Sequence, residues 1–143
     1  MNQPMRQLPD LGWMLQPMTR IPGVRHAVVS SEDGLCLGHR SCEEPAVEPL
    51  RVEEAESLAA TSSGLAATGR SAAMLLLNDE TVRQMMVESE TGFVLVTDAG
   101  VGALLVVATD QRADVGLVAQ QMQVLIAQIG HHLSSLPRDA AVS

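Results

Sequence analysis

The sequence predicts an α+β fold, a five-stranded antiparallel sheet with helices on both faces, in the order α-β-β-α-β-β-β-α. Three strand-like runs, Thr81–Glu90, Gly92–Thr97 and Val101–Ala108, are rich in Val, Leu, Met and Thr. The turns between them are too short for a crossover helix, so the three strands should be antiparallel neighbours. From Val115 the apolar period changes to steps of three and four, which indicates one face of a helix. That face comprises Val118, Met122, Leu125, Ile129, Leu133 and Leu136.

The first half of the chain predicts the remaining elements. Residues 8–18 share an apolar helical face, in which Pro17 should keep the helix short or kinked. Val24–Ser31 and Leu35–His39 predict a hairpin, since Asp-Gly between them is a strong turn signal. A loop with prolines and glutamates follows. Arg51–Arg70 lacks proline and is rich in Ala, Glu and Leu, so it predicts the second helix.

Length and composition indicate one domain. The 143 residues are 46% hydrophobic and 18% charged, which is enough apolar material for a core. No repeat or linker divides them, so we predict a single domain over 1–143, with its core at about 11–136 and a polar tail at 137–143. Phe93 and Trp13 are the only rings besides histidine, so the core should consist of Leu, Val, Met and Ala.

The charge balance excludes several classes of partner. The formal net charge is −8, and all nine cations are arginine. Nucleic-acid binding needs a basic stripe, and an anionic membrane surface would repel this chain. The sequence contains neither an apolar run of the roughly 20 residues that span a bilayer nor a signal-peptide pattern. We therefore expect a cytoplasmic protein whose partners present basic patches.

Two segments resemble chemical motifs without completing them. Cys36, His39 and Cys42 are metal-ligand types, but strand alternation should point the first two in opposite directions, and a fourth ligand is not evident. Gly64–Ser71 approaches the phosphate-loop pattern, with Arg70 where that pattern requires lysine. We therefore predict no enzymatic activity, no cofactor and no metal. A metal-dependent enzyme built on the Cys-His-Cys group is kept as an alternative.

The second helix carries a stripe of mostly small side chains, which would allow another element to approach closely. Leu58 and Leu65 flank this stripe. It could form a helix–helix interface between two protomers, or it could rest on the protomer's own sheet, which is the commoner arrangement for an amphipathic helix. The stripe consists of Val52, Ala55, Ala59, Ser62, Ala66 and Gly69.

Four local strings occur in an order that resembles the roadblock/LC7 domain along nearly the whole chain. They are Ile21–Val29, Ser31–Leu35, Val82–Glu88 and Ala113–Leu117. The last string usually contains Asn where this chain has Asp114, which remains a good helix N-cap. The subtype most similar to this chain is the actinobacterial one, encoded in conservon operons beside a sensor-kinase-like protein and a Ras-like GTPase.

The resemblance implies a non-catalytic regulator that forms a homodimer. In roadblock dimers the third strands pair antiparallel across a two-fold axis, and the second helices lie side by side. A small Ras-like GTPase would dock on the helix-two side, and the sensor-kinase-like protein is a further possible partner. No arginine can be assigned as a catalytic finger for the GTPase, although Arg51 and Arg70 are candidates for it by location alone. The interface implied for this chain comprises Arg51, Ala55, Leu58, Ala59, Ser62, Leu65, Ala66, Val82, Gln84, Met86 and Glu88.

A different function fits the same element order. Antiparallel sheets with helices on their faces also occur in small-molecule sensor domains of the PAS and GAF type. The scarcity of aromatic residues argues against such a ligand pocket, because pockets are commonly lined by aromatic side chains. The sensor domain is the alternative to the GTPase regulator.

Overall fold

The computed structural model describes residues 10–135 and has the predicted element order. Leu8, Leu136 and the predicted tail at 137–143 lie outside the described residues. Within residues 10–135, no helix combines the length and apolarity needed to cross a membrane. The elements are a 3₁₀ turn (Gly12–Leu15), α1 (Gln16–Thr19), β1 (Val24–Ser31), β2 (Cys36–Ser41), α2 (Val52–Leu77), β3 (Gln84–Ser89), β4 (Gly92–Gly100), β5 (Ala103–Asp110) and α3 (Val115–Ser134).

The five strands form one antiparallel sheet in the order β2-β1-β5-β4-β3. The predicted neighbours β3, β4 and β5 are confirmed. β5 lies at the centre, where both faces are covered, and its Ala-Leu-Leu-Val-Val-Ala sequence is accordingly apolar throughout. It aligns Val106 with Val28 of β1 and Val107 with Leu95 of β4. β2 and β3 are the two edges.

Helices cover both faces of the sheet, as predicted. α1 and α3 pack on one face, against Val29, Leu105 and Val107 among others. α2 packs on the other face, against Val28 and Val106. Because successive strand residues point to opposite faces, these alternating side chains of β1 and β5 supply both layers.

The predicted inner face of α3 is confirmed for four of its members, with Leu133 partly buried beside them, and the core is aliphatic. The buried residues of α3 are Val118, Met122, Leu125 and Ile129. Trp13 is 62% exposed and Phe93 is partly buried, so neither ring is fully enclosed in the core. The core therefore depends on close packing of small and flexible side chains.

The first helix is short, as Pro17 predicts. A 3₁₀ turn over Gly12–Leu15 leads into α1, and Pro17 occupies the first turn of α1. Proline is tolerated there because the N–H groups of a first turn have no partner inside the helix.

The predicted end of α2 at Arg70 is wrong, because the helix continues to Leu77. The added segment, Ser-Ala-Ala-Met-Leu-Leu-Leu, consists mainly of good helix formers. Asn78 ends the helix in the left-handed region, at φ 55°, and its N–H donates to the Met74 carbonyl. Asparagine tolerates this conformation better than most residues.

Strand ends also differ from the prediction. β3 begins at Gln84 instead of Thr81, because the Thr81 N–H donates to the Asp79 carboxylate 2.8 Å away in a local turn. Val101 was predicted to begin β5, but it lies in the β4–β5 turn at φ 46°, between glycines at φ 72° and 77°. The other strand ends move by three residues or fewer.

A polar cluster fixes the corner between β5 and α3. The Asp110 carboxylate is 9% exposed and accepts a 2.8 Å hydrogen bond from Arg112 Nη2, and these bonds lower the pKa of Asp110. Arg112 also donates to Glu44 at 3.1 Å, which ties the loop after β2 to this corner. Asp114 then accepts from the Leu117 N–H at 3.2 Å and caps α3 as predicted.

Candidate protein–protein interface

The edge strand β3 presents apolar side chains to solvent. Only β4 pairs with it among the described strands. Met86 is 51% exposed and Val87 is 45% exposed, on opposite faces of the strand. An edge with free N–H and carbonyl groups and exposed apolar side chains is a surface on which another strand can pair.

α2 crosses the sheet and extends past this edge. Near its beginning, Ala60 contacts Gly34 in the β1–β2 turn, whereas Gly69 lies over Met85 of β3. A Cβ atom at Gly69 would collide with the Met85 sulfur, so the glycine allows this close contact. The eight residues after Gly69, which end at Leu77, then carry the helix roughly 12 Å farther. The last two turns of α2 therefore have no sheet of their own protomer beneath them.

Four consecutive apolar residues occupy that overhanging end. Their exposed fractions are 48% for Met74, 85% for Leu75, 78% for Leu76 and 75% for Leu77. We call these four residues together with Met86 and Val87 the apolar edge. Isolated exposed leucines are ordinary, but four consecutive exposed apolar residues near an edge strand with exposed apolar side chains indicate a contact surface.

The small-residue stripe of α2 faces the protomer's own sheet. Ala55 and Ala59 are fully buried, Ser62 is 2% exposed and Ala66 is 4% exposed. Ala59 and Ala66 belong to the same apolar cluster as Val28. This corrects the interface assigned to these four residues: their side chains lie inside the protomer, so they offer no surface to a second copy.

The same stripe continues onto the overhanging end. Steps of three and four lead from Ala66 through Gly69 and Ala73 to Leu76. Ala73 is partly exposed and Leu76 is largely exposed, because the sheet that covers the earlier members ends at β3. The helix face that packs on the sheet is thus longer than the sheet is wide.

The other predicted residues of α2 lie at its margins. Leu58 and Leu65 are partly buried against the α2 side of the core. Arg51 precedes the helix, and its backbone N–H and Nε donate to Glu54 at 2.9 and 3.2 Å. These bonds lower the pKa of Glu54 and close the helix's first turn. Arg51 is exposed but engaged within the protomer.

The predicted residues of the third strand split between strand and loop. Gln84, Met86 and Glu88 are exposed and share the face of β3 opposite to Met85. Val82 is half-buried in the loop before β3, so it does not belong to the strand. The edge pairing predicted for Thr81–Glu90 is therefore available only over the six residues of β3.

A hydrogen-bonded link sets the point where α2 begins. The Leu50 N–H donates to Ser41 Oγ at 2.9 Å, and His26 Nδ1 lies 2.8 Å from the same oxygen. Burial lowers the pKa of His26. The loop after β2 is thereby held against β1, which directs α2 across the sheet towards β3.

Sequence reasoning missed the overhanging end of α2. Its signal was the run Met74–Leu77, four apolar residues directly before the Asn78 terminator. Because the predicted helix ended at Arg70, it did not include this run. Periodicity also could not show that these residues pass the edge of the sheet.

Comparison with known proteins identifies the family. A family model described as Roadblock/LC7 domain matches residues 12–109. This chain belongs to the Roadblock/LC7 domain family. The solved Roadblock/LC7 domain from Streptomyces avermitilis is similar to this roadblock domain with a TM-score of 0.79 and 30% identity, covering 88% of this chain and 99% of that one.

Two further relatives extend the likeness across bacteria and archaea. The gliding protein MglB from Thermus thermophilus has a TM-score of 0.71 and 26% identity to this roadblock domain, covering 80% of this chain and 82% of its own. The uncharacterized protein MJ0310 from Methanocaldococcus jannaschii is 30% identical over 110 residues, which are 77% of this chain and 88% of that protein.

The two motif-like segments do not form sites in the described part of this roadblock domain. Gly64–Ser71 lies wholly within α2, so it has no loop that could surround a phosphate. Among residues 10–135, no three His, Cys, Asp or Glu side chains converge on a common point, and this includes Cys36, His39 and Cys42. The apolar edge is the most distinctive exposed feature near the predicted interface.

Proposed function

We propose that this roadblock domain is a non-catalytic, cytoplasmic regulator or scaffold. It forms a homodimer through β3 and the overhanging end of α2, and the dimer binds a small Ras-like GTPase on its α2 side. A sensor-kinase-like protein is a further partner in the same signalling complex. The observation that carries the dimer is the mismatch between the length of α2 and the width of the sheet.

A second copy removes that mismatch. If two β3 strands pair antiparallel across a two-fold axis, the partner's strands continue the sheet beneath the overhanging end of α2. Ala73 and Leu76 would then pack on the partner's sheet as Ala59 and Ala66 pack on their own. The contact would be isologous, because each helix end covers the other protomer. It would also bury the apolar edge, which otherwise invites aggregation.

The GTPase contact rests on family membership and on charge. The loop after β2 and the first turns of α2 carry exposed carboxylates, which favour a partner with a basic patch. They are Glu43, Glu44, Glu48, Glu53, Glu54 and Glu56. Of these, Glu48, Glu53 and Glu56 have no ion pair in the described structure, so they are free to meet a partner.

Two measurements test the proposal. Light scattering after size exclusion should give a mass of at least about twice the 15.2 kDa chain, and a monomer would contradict the dimer. Calorimetric titration with a bacterial Ras-like GTPase, loaded with GDP or a GTP analogue, should show binding. The charge reversals Glu53→Lys and Glu56→Lys should weaken that binding, whereas Glu90→Lys in the β3–β4 turn should not. Equal affinities for all three variants would contradict an acidic docking surface.

A further inference from the structure

The outer face of α3 is uncharged, which is unusual for a surface helix. Its 20 residues include no Asp, Glu, Lys or Arg, although the chain has a net charge of −8. A helix that packs on a core normally carries charged residues on its opposite side. Here that side presents glutamine amides and apolar groups, with Val124 52% exposed and Leu117 40% exposed. We define the outer face of α3 as Leu117, Gln120, Val124, Gln128 and His131, all of which are exposed.

The positions on this face are symmetric about Val124, and the inner pair on either side of it is the same residue type, whereas the outer pair differs. Gln120 and Gln128 lie four residues before and after Val124, and Leu117 and His131 lie seven residues before and after it. At 3.6 residues per turn the five positions fall on one stripe. A pattern that is symmetric about one residue is suited to packing against an antiparallel copy of itself.

We infer that the outer face of α3 binds the same face of a second copy of this chain, antiparallel, about a two-fold axis at Val124. Val124 then meets Val124 of the second copy, and Gln120 meets Gln128 of the second copy. Each glutamine amide offers both donors and an acceptor, so these pairs satisfy one another. The contact is isologous, and the two helix dipoles oppose one another favourably.

Charge selects a second copy as the occupant. Two chains of net charge −8 repel wherever their acidic surfaces meet, but this face brings no side-chain carboxylate of α3 into the contact. A basic partner would gain nothing from an uncharged helix and would favour the glutamates at the start of α2. Self-association and binding of a basic partner therefore have different surfaces.

Trp13 extends the face at one end. Its ring lies 5.5 Å from the His132 ring in an edge-on arrangement, and it is 62% exposed. In the antiparallel arrangement it would lie near Leu117 of the second copy. Because Trp13 is the only tryptophan, its emission reports on this contact and not on the apolar edge.

The contact is independent of the proposed β3 dimer, since α2 and α3 cover opposite faces of the sheet. Together the two contacts join dimers into tetramers. Light scattering distinguishes the β3 contact from the α3 contact when four proteins are compared. They are wild type, Leu76→Glu, Val124→Glu and the double variant. We expect about four, two, two and one chain masses respectively. Gln123→Glu places the same charge on α3 beside the outer face, and this control should retain the wild-type mass.

Each outcome decides between the two contacts. If wild type is a dimer that Val124→Glu alone converts to a monomer, the α3 contact stands and the β3 dimer fails. If Val124→Glu has the mass and Trp13 emission of wild type, the α3 contact is refuted and the β3 dimer is unaffected. A dilution series of wild type should shift Trp13 emission to longer wavelength.

A cross-linking variant tests the position of the axis. Val124→Cys should form a disulfide between chains under mild oxidation, because a two-fold axis places residue 124 opposite itself. Gln123→Cys, one residue along the helix, should form much less. The native cysteines are poorly accessible, since Cys36 is half-buried and Cys42 is buried. Oxidation of the wild-type chain therefore measures the background cross-linking. Equal cross-linking of the two variants would refute the arrangement.

Discussion

Replacing Leu76 with glutamate is the most direct perturbation of the overhanging end of α2. Leu76 continues the sheet-facing stripe of the helix but is 78% exposed, since the sheet ends at β3. The substitution should leave the isolated protomer nearly unchanged, because surface replacements usually alter stability by no more than about 0.5 kcal/mol. In the dimer the same side chain would be buried against the partner's sheet.

The expected loss can be worked from that exposed fraction. Full burial of a leucine side chain contributes about 1.5–3 kcal/mol, and about four-fifths of Leu76 remains to be buried. The two-fold axis places two copies in the interface, so the dimer should lose roughly 2–5 kcal/mol. At about 1.4 kcal/mol per factor of ten, its dissociation constant should rise roughly 30- to 4,000-fold. The two added carboxylates should weaken the dimer further.

Sedimentation equilibrium over a range of concentrations measures this constant. The measurement is made in the Val124→Glu background, so that the α3 contact does not contribute. Leu35→Glu is the matched control, because Leu35 is 49% exposed in the β1–β2 turn, far from β3. The reasoning is refuted if Leu76→Glu associates as tightly as its parent, or if Leu35→Glu weakens the dimer equally.

Three further predictions concern the protomer itself. Ala59→Leu should lower the free energy of unfolding by about 1–3 kcal/mol in urea titration, because Ala59 is fully buried beneath the sheet; a variant as stable as wild type but monomeric would instead place Ala59 in an interface. Hydrogen bonds from Arg112 lower the pKa of Asp110, so its contribution to stability is present above the unfolded pKa and lost as pH falls through the lower folded value. Asp110→Asn should therefore lower the melting temperature at neutral pH, and its melting temperature should decrease less than that of wild type when the pH is lowered below about 4. Parallel plots of melting temperature against pH for the two proteins would count against this. Val101→Asn should raise the free energy of unfolding by about 1 kcal/mol, since asparagine tolerates positive φ better than valine does; a lower melting midpoint would argue against strain in this turn.

The small-residue stripe shows where sequence reasoning reached its limit. Its spacing correctly indicated a face that another element approaches closely. The same spacing serves a helix on its own sheet and a helix on a second helix, so periodicity could not choose between them. The decision depended on where α2 crosses the strands, which contacts between distant residues determine. Ala59 and Leu76 lie on one stripe, but only Ala59 has the sheet beneath it.

Some features of this protein were determined by the sequence alone. Short turns require antiparallel strands, Pro17 limits the first helix, and the spacing from Val118 to Ile129 defines the inner face of α3. Such features depend on neighbours within a few residues, and local sterics and periodicity act at that range. The aliphatic core also follows directly from the composition.

Other features were decided only by the tertiary structure. The order β2-β1-β5-β4-β3 leaves β3 at an edge, and α2 overhangs that edge because the helix is longer than the sheet is wide. The burial of Ala59 and the exposure of Leu76 follow from this mismatch. A mismatch between two elements is a property of their packing, so neither element's sequence could show it by itself.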